Sequence, residues 1–190
     1  MQSFFEGRGG LILESVQLVL IVIMLFFIVM VILQCFKGGK ITKKIRDFRT
    51  KSKVELTQSQ IKKQNIYIKK HMGSIYSLGV NIATFSIVIL LVMSGYVFRA
   101  FIVEKVYGGP LFLILGTLLL LAVIYAYFTQ KIMIESQKIK KQYLNENPEN
   151  SLKLFIYPDE LIMRYKDMSK RTSCLMIIIS ILSFSIGILN

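Results

Sequence analysis

KGGKITKKIRDFRTKSKVELTQSQIKKQNIYIKKHMGS, residues Lys37 to Ser74, carries twelve Lys or Arg against two acids, Asp47 and Glu55. The run before it, Ser15 to Phe36, has no charged residue, and neither has the run that begins within it, Met72 to Phe98. Lys and Arg are held on the cytoplasmic side of a bilayer, most strongly near the ends of spans. The stretch therefore reads as a cytoplasmic loop between two membrane spans, and it sets the direction of the chain. Lys131 to Arg171 adds nine more basic residues, so the two stretches hold 21 of the chain's 24.

Uncharged runs longer than about 18 residues read as transmembrane helices. Two more follow, Val106 to Gln130 and Thr172 to Asn190. The expected fold is thus all-α: a polytopic, four-transmembrane-helix bundle, one membrane domain over 1–190 with helical cytoplasmic extensions. Its spans are 15–36, 72–98, 106–130 and 172–190, and its cytoplasmic loops are 37–71 and 131–171. Both termini are expected outside the cytoplasm, and the plasma membrane is the expected location. A hydrophobic content of 54% excludes a single soluble domain among the chain's 190 residues. The net charge of +13 suits anionic lipid head groups, each basic residue contributing roughly 1 kcal/mol near the surface. Direct nucleic-acid binding is not expected, because positive-inside topology alone accounts for the charge.

The cytoplasmic segments read as helices. Thr57 and Gln60 have capping-box spacing, so a helix is expected to start there and to run unbroken into the second span. Ile41, Ile45 and Phe48, at i, i+4 and i+7, predict a shorter basic helix lying on the membrane interface. After the third span, helix continues through Lys141 until Asn145, Glu146, Asn147 and Pro148 break it. Leu152 to Tyr157 is strand-like in composition but too isolated to build a sheet. Pro158, Asp159 and Glu160 resemble a helix first turn leading into the fourth span.

Catalytic chemistry needs converging polar groups. One histidine, His71, and two separated cysteines, Cys35 and Cys174, provide no metal-ligand spacing. Gly38-Gly39-Lys40 lacks the Ser or Thr and the upstream Gly of a phosphate loop. A non-enzymatic protein with no cofactor is therefore expected. Glu14, near the outer end of the first span, is the ionisable residue that a membrane role would use, and Arg99 at similar depth is its candidate partner. Small residues four apart mark close helix approach: Gly79 and Ala83, Ala122 and Ala126, Ser183 and Gly187. Asn81, with Thr84, is a candidate for hydrogen bonding between helices. Ser173, Ser180, Ser183 and Ser185 make the fourth span hydroxyl-rich, which would suit a pore lining. Lys43, Lys44, Arg46, Arg49, Lys62, Lys63, Lys69 and Lys70 are the candidate docking residues for lipid or a soluble cytoplasmic partner.

The plan of four spans, Ser15 to Phe36, Met72 to Phe98, Val106 to Gln130 and Thr172 to Asn190, with basic loops between, resembles the KwaA family, the membrane subunits of the Kiwa antiphage system. That resemblance implies an oligomeric membrane sensor engaging a cytoplasmic partner that acts on phage DNA or its replication, and it transfers no site residue. From the residues themselves, a self-associating scaffold or sensor is the expected function. A homo-oligomeric ion-conducting pore is the alternative.

Overall fold

A computed structural model describes residues 2–53, 56–102 and 108–189. It contains five helices: α1 (Gln2–Lys53), α2 (Gln58–Met72), α3 (Ser74–Ile102), α4 (Gly109–Glu146) and α5 (Asp159–Leu189). Four of them hold stretches long and apolar enough to cross a membrane: Ser15–Ser52, Tyr76–Ala100, Gly109–Glu146 and Asp159–Leu189. The chain is an all-helical, four-span, multi-pass membrane protein. The 38 residues of α4 reach about 57 Å, against about 30 Å of hydrocarbon, so the helix continues well past the bilayer core.

Three boundaries follow the local sequence. Thr57 caps α2 with a reciprocal capping box, its hydroxyl accepting from the Gln60 amide while the Gln60 side chain accepts from the Thr57 amide. Helix α4 ends at Glu146, ahead of Pro148, and α5 begins at Asp159 with the Leu161 and Ile162 amides donating to Pro158 O. Residues 153–158 between them are irregular, with no strand.

Two expectations are corrected. The capped helix does not run into the second span: α2 stops at Met72 and Gly73 takes φ +56°, a backbone conformation that favours glycine. The basic segment after the first span is not a separate interfacial helix but the continuation of α1. Gly38 lies within this continuous helix and leaves room for α5, where the Met168 side chain packs against it. Ile41, Ile45 and Phe48 are half-buried on this continuation, and Phe48 packs on Phe155 and Tyr157 at centroid distances of 6.2 and 5.4 Å.

The described residues group into two compact units. The first combines residues up to Leu33 with 86–123 and 172–190. Its core is Met24, Ile179 and Ile186, flanked by Leu20, Phe27, Phe112, Leu119 and Leu182. Small residues let its helices close: a Cβ on Gly187 would stand 2.8 Å from Leu113 and 2.9 Å from Gly109 O, and one on Gly116 would stand 3.1 Å from the Phe184 ring. Polar groups there find partners, as a medium without water demands. Ser180 donates to Gly116 O at 2.8 Å, and Gln17 Nε2 donates to Leu189 O at 2.8 Å, satisfying a carbonyl that the end of α5 leaves open.

The second unit combines residues 34–85 with 124–171. Helix α3 meets α4 where Gly79 faces Ile132 and Phe128, with a Cβ only 3.0 Å from the Ile132 side chain. Gln64, 5% exposed, donates through Nε2 to Leu152 O at 2.8 Å and Lys153 O at 2.9 Å, tying α2 to the α4–α5 connection. Asn150 holds the same connection from within, its amide donating to Leu154 O at 3.0 Å and its carbonyl accepting from Leu154 N at 2.8 Å. Asn150 and Lys153 take left-handed φ of 44° and 48°, a conformation that costs an L-residue roughly 1–2 kcal/mol, so these ties hold the turn in place.

Candidate functional site

The second unit carries an open-sided cavity of about 310 Å³. Helix α1 contributes Arg49; α2 contributes Gln64, Asn65, Ile68 and Met72; α3 contributes Tyr76. Helix α4 contributes Thr129, Ile132, Met133, Ser136, Gln137 and Lys140, and the connection contributes Phe155 and Tyr157. The positions on α4 repeat every three to four residues, so one helix face lines the cavity, and the α2 positions do the same. The wall exists because residues 153–158 return along α4. Tyr157 N donates to Gln137 Oε1 at 3.0 Å, and the Tyr143 hydroxyl, 2.9 Å from Ser151 Oγ, accepts from Leu152 N at 3.3 Å.

Its electrostatics are cationic. Lys140, 7% exposed, places Nζ 4.3 Å from the Phe155 ring centroid and 5.5 Å from that of Tyr157, where the ring faces partly replace water around the ammonium. Burial pushes the Tyr157 phenol above its ordinary 10.0, and the nearby Arg49 charge pulls it partly back. Three acids on the adjoining segments form ion pairs: Glu135 with Lys138 at 2.8 Å, Asp159 with Lys141 at 2.6 Å, and Glu160 with Arg164 at 2.5 Å. A second hollow of about 670 Å³ lies between α1 and α5, bearing Lys37, Lys40, Lys44 and Arg164 with Glu160.

The residues expected from sequence fall into three groups. The eight docking residues, Lys43, Lys44, Arg46, Arg49, Lys62, Lys63, Lys69 and Lys70, are all exposed. Among the packing residues, Gly79, Ala83 and Ser183 are buried, and Ala122, Ala126 and Gly187 are half-buried. Ser183 is wholly buried against Met24 Sδ at 3.5 Å. Asn81 is instead exposed, and with exposed Ser77 and Thr84 it forms a polar stripe at i, i+4 and i+7 on α3. The Glu14 side chain lies outside the described residues, and Arg99 is exposed on α3. His71, 2.9 Å from Tyr67 O and stacked on the Tyr67 ring at 4.0 Å, is part of the α2 surface.

The cavity residues Gln64, Asn65, Ser136, Gln137, Lys140 and Tyr157 were not among the expected ones. Their signal in the sequence is the polar continuation of two apolar stripes, Gln64 ahead of Ile68 and Met72, and Ser136, Gln137 and Lys140 after Ile132 and Met133. No protein-family model matches the chain, and neither a curated protein nor a solved structure does.

Proposed function

We propose that the chain is a non-enzymatic, oligomeric scaffold or sensor of the plasma membrane that docks a soluble cytoplasmic partner on its basic unit. The observation that carries this reading is that the expected docking cations are all exposed while the unit that bears them is folded. Slack basic loops would serve lipid equally well. A unit pinned by Gln64, Asn150 and Gln137 presents charge in a fixed pattern, which is what partner choice requires. The hollow bearing Lys37, Lys40, Lys44 and Arg164 suits anionic head groups. The resemblance in plan to the KwaA family adds a setting, bacterial antiphage defence in which envelope perturbation is sensed.

Self-association is supported by the α3 stripe of Ser77, Asn81 and Thr84, since an exposed amide on an apolar helix gains from pairing with a second copy. The same stripe favours the rival reading of a homo-oligomeric pore. That reading loses part of its hydroxyl lining, because Ser180 and Ser183 are wholly buried inside one chain. Affinity capture from the native host tests the scaffold: one soluble protein should co-purify and be lost when Lys62, Lys63, Lys69 and Lys70 are changed to Gln. Reproducible unitary currents from the purified protein in planar bilayers would reject it in favour of the pore.

A further inference from the structure

We infer that α3 docks in parallel against α3 of a second copy of this chain, along a seam of Ser77, Asn81, Thr84, Val88, Leu91 and Gly95. This rests on the self-association part of the proposed function and gives it a surface. The six positions are spaced four, three, four, three and four apart, the alternation of a heptad seam, with Asn81 at an a position and Thr84 at the d that follows. All six are exposed, while Gly79, Ala83 and Ser86, on the opposite face of α3, are buried. The helix therefore has one face occupied within the chain and a second face, regular in spacing, that the chain leaves uncovered.

Depth makes that face need a polar partner. The apolar stretch Tyr76–Ala100 is centred on Val88, so Asn81 lies about 10 Å and Thr84 about 6 Å from the middle of a hydrocarbon core that is roughly 15 Å deep on each side. Among the described residues neither the Asn81 amide nor the Thr84 hydroxyl has a hydrogen-bond partner, whereas Ser77 Oγ donates to Ser74 O at 3.1 Å. Acyl chains offer an amide nothing. A second copy does, because positive-inside topology gives every copy in one bilayer the same orientation. A two-fold axis along the membrane normal then sets Asn81 opposite Asn81 and Thr84 opposite Thr84. Both side chains donate and accept, so each is complementary to itself. Residues 72–98 carry no charge that would make identical copies repel. Gly95 points the same way: nothing else in the chain stands within 4 Å of where its Cβ would be, so packing within the chain does not require glycine there, while close approach of two helices uses it.

Disulfide mapping in membranes tests the seam. In the full-length chain Cys35 and Cys174, both exposed, are first changed to Ser, and single cysteines are then placed along α3. Thr84→Cys, Val88→Cys and Leu91→Cys should give covalent dimers on non-reducing gels about fivefold or more in excess of Leu78→Cys, Phe85→Cys and Val92→Cys, at positions that are also exposed but lie off the seam. Asn81→Leu keeps the bulk and removes the amide; it should weaken dimerisation in liposomes about tenfold, read by single-molecule photobleaching, while Phe85→Leu leaves it unchanged. A flat crosslinking pattern, a maximum at the off-seam positions, or unchanged dimerisation in Asn81→Leu would overturn the α3 seam and leave self-association standing through another face. A wild-type chain that stays monomeric at every protein-to-lipid ratio would remove both. Unitary currents in planar bilayers that Asn81→Leu abolishes would also overturn the seam, since the amide would then line a water path instead of meeting its counterpart.

Discussion

Replacing Gln64 tests whether the basic unit is one folded body or a set of independent helical extensions. The residue is 5% exposed and spends both hydrogens of its amide on Leu152 O and Lys153 O, 88 and 89 positions away. Gln64→Leu keeps the bulk and removes both donors. Each neutral hydrogen bond contributes about 1 kcal/mol, and a buried carbonyl left unpaired costs about 1–3 kcal/mol more. Some of that returns as water reaches the connection, so a net loss of about 2 kcal/mol is expected. The connection should therefore open roughly thirtyfold more often. Hydrogen exchange followed by mass spectrometry reads this directly, because Leu154 N and Tyr157 N are protected by Asn150 Oδ1 and Gln137 Oε1 in the same segment. Peptides covering 148–158 should exchange faster while those covering 179–189 stay at the wild-type rate. Gln64→Glu should be worse at neutral pH, where a carboxylate would face two carbonyl oxygens, and should partly recover as acid returns one donor. Wild-type exchange across 148–158 in Gln64→Leu would refute the idea that α2 holds the connection.

Three further outcomes are expected. Gly187→Ala would push a Cβ to 2.9 Å from a backbone oxygen, Gly109 O; overpacking of this kind costs about 1–3 kcal/mol, and it should lower the melting temperature of the purified protein while Gly39→Ala, with open space around it, leaves its packing untouched. Thr57→Ala removes the capping box of α2 and should cost about 1 kcal/mol, seen as faster exchange in peptides covering 58–64. Tyr157 should titrate above its ordinary 10.0: its neutral phenol contributes stability in full below that value, and the contribution is lost as pH rises through the higher folded value. Ultraviolet titration of wild type against Tyr157→Phe should show that late phenolate step, moved higher still in Arg49→Gln, where the charge that opposes the burial effect is gone.

Local chemistry made much of the helical plan legible. Four uncharged runs predicted four spans, the Thr57 and Gln60 spacing predicted a cap, and Pro148 and Pro158 marked the end of one helix and the start of another. These signals are carried by residues contiguous in the chain, so chain order is enough to read them. The two corrections share a cause in contrast. The segment after the first span, read as a separate interfacial helix, continues α1 with Met168 packed against Gly38, while Gly73, within a run that read as continuous, takes a positive φ and separates α2 from α3.

The candidate site was nearly invisible for the same reason. Arg49 reads in sequence only as one of many cations, and Gln64, Gln137 and Lys140 are not among the residues the sequence points to. What turns them into a cavity wall is the return of residues 153–158 along α4, held by Tyr157 N on Gln137 and by Asn150 on Leu154. Likewise, the serines of the fourth span read as a polar face, yet packing against Gly116 and Met24 buries Ser180 and Ser183 completely. Hydrophobic runs and the placement of charge, both properties of the unfolded string, determined that this protein crosses a membrane four times. Which polar groups meet, and which are hidden, was decided by contacts up to 172 residues apart such as Gln17 with Leu189, because desolvating a hydrogen-bonding group is tolerable only where the fold brings it a partner.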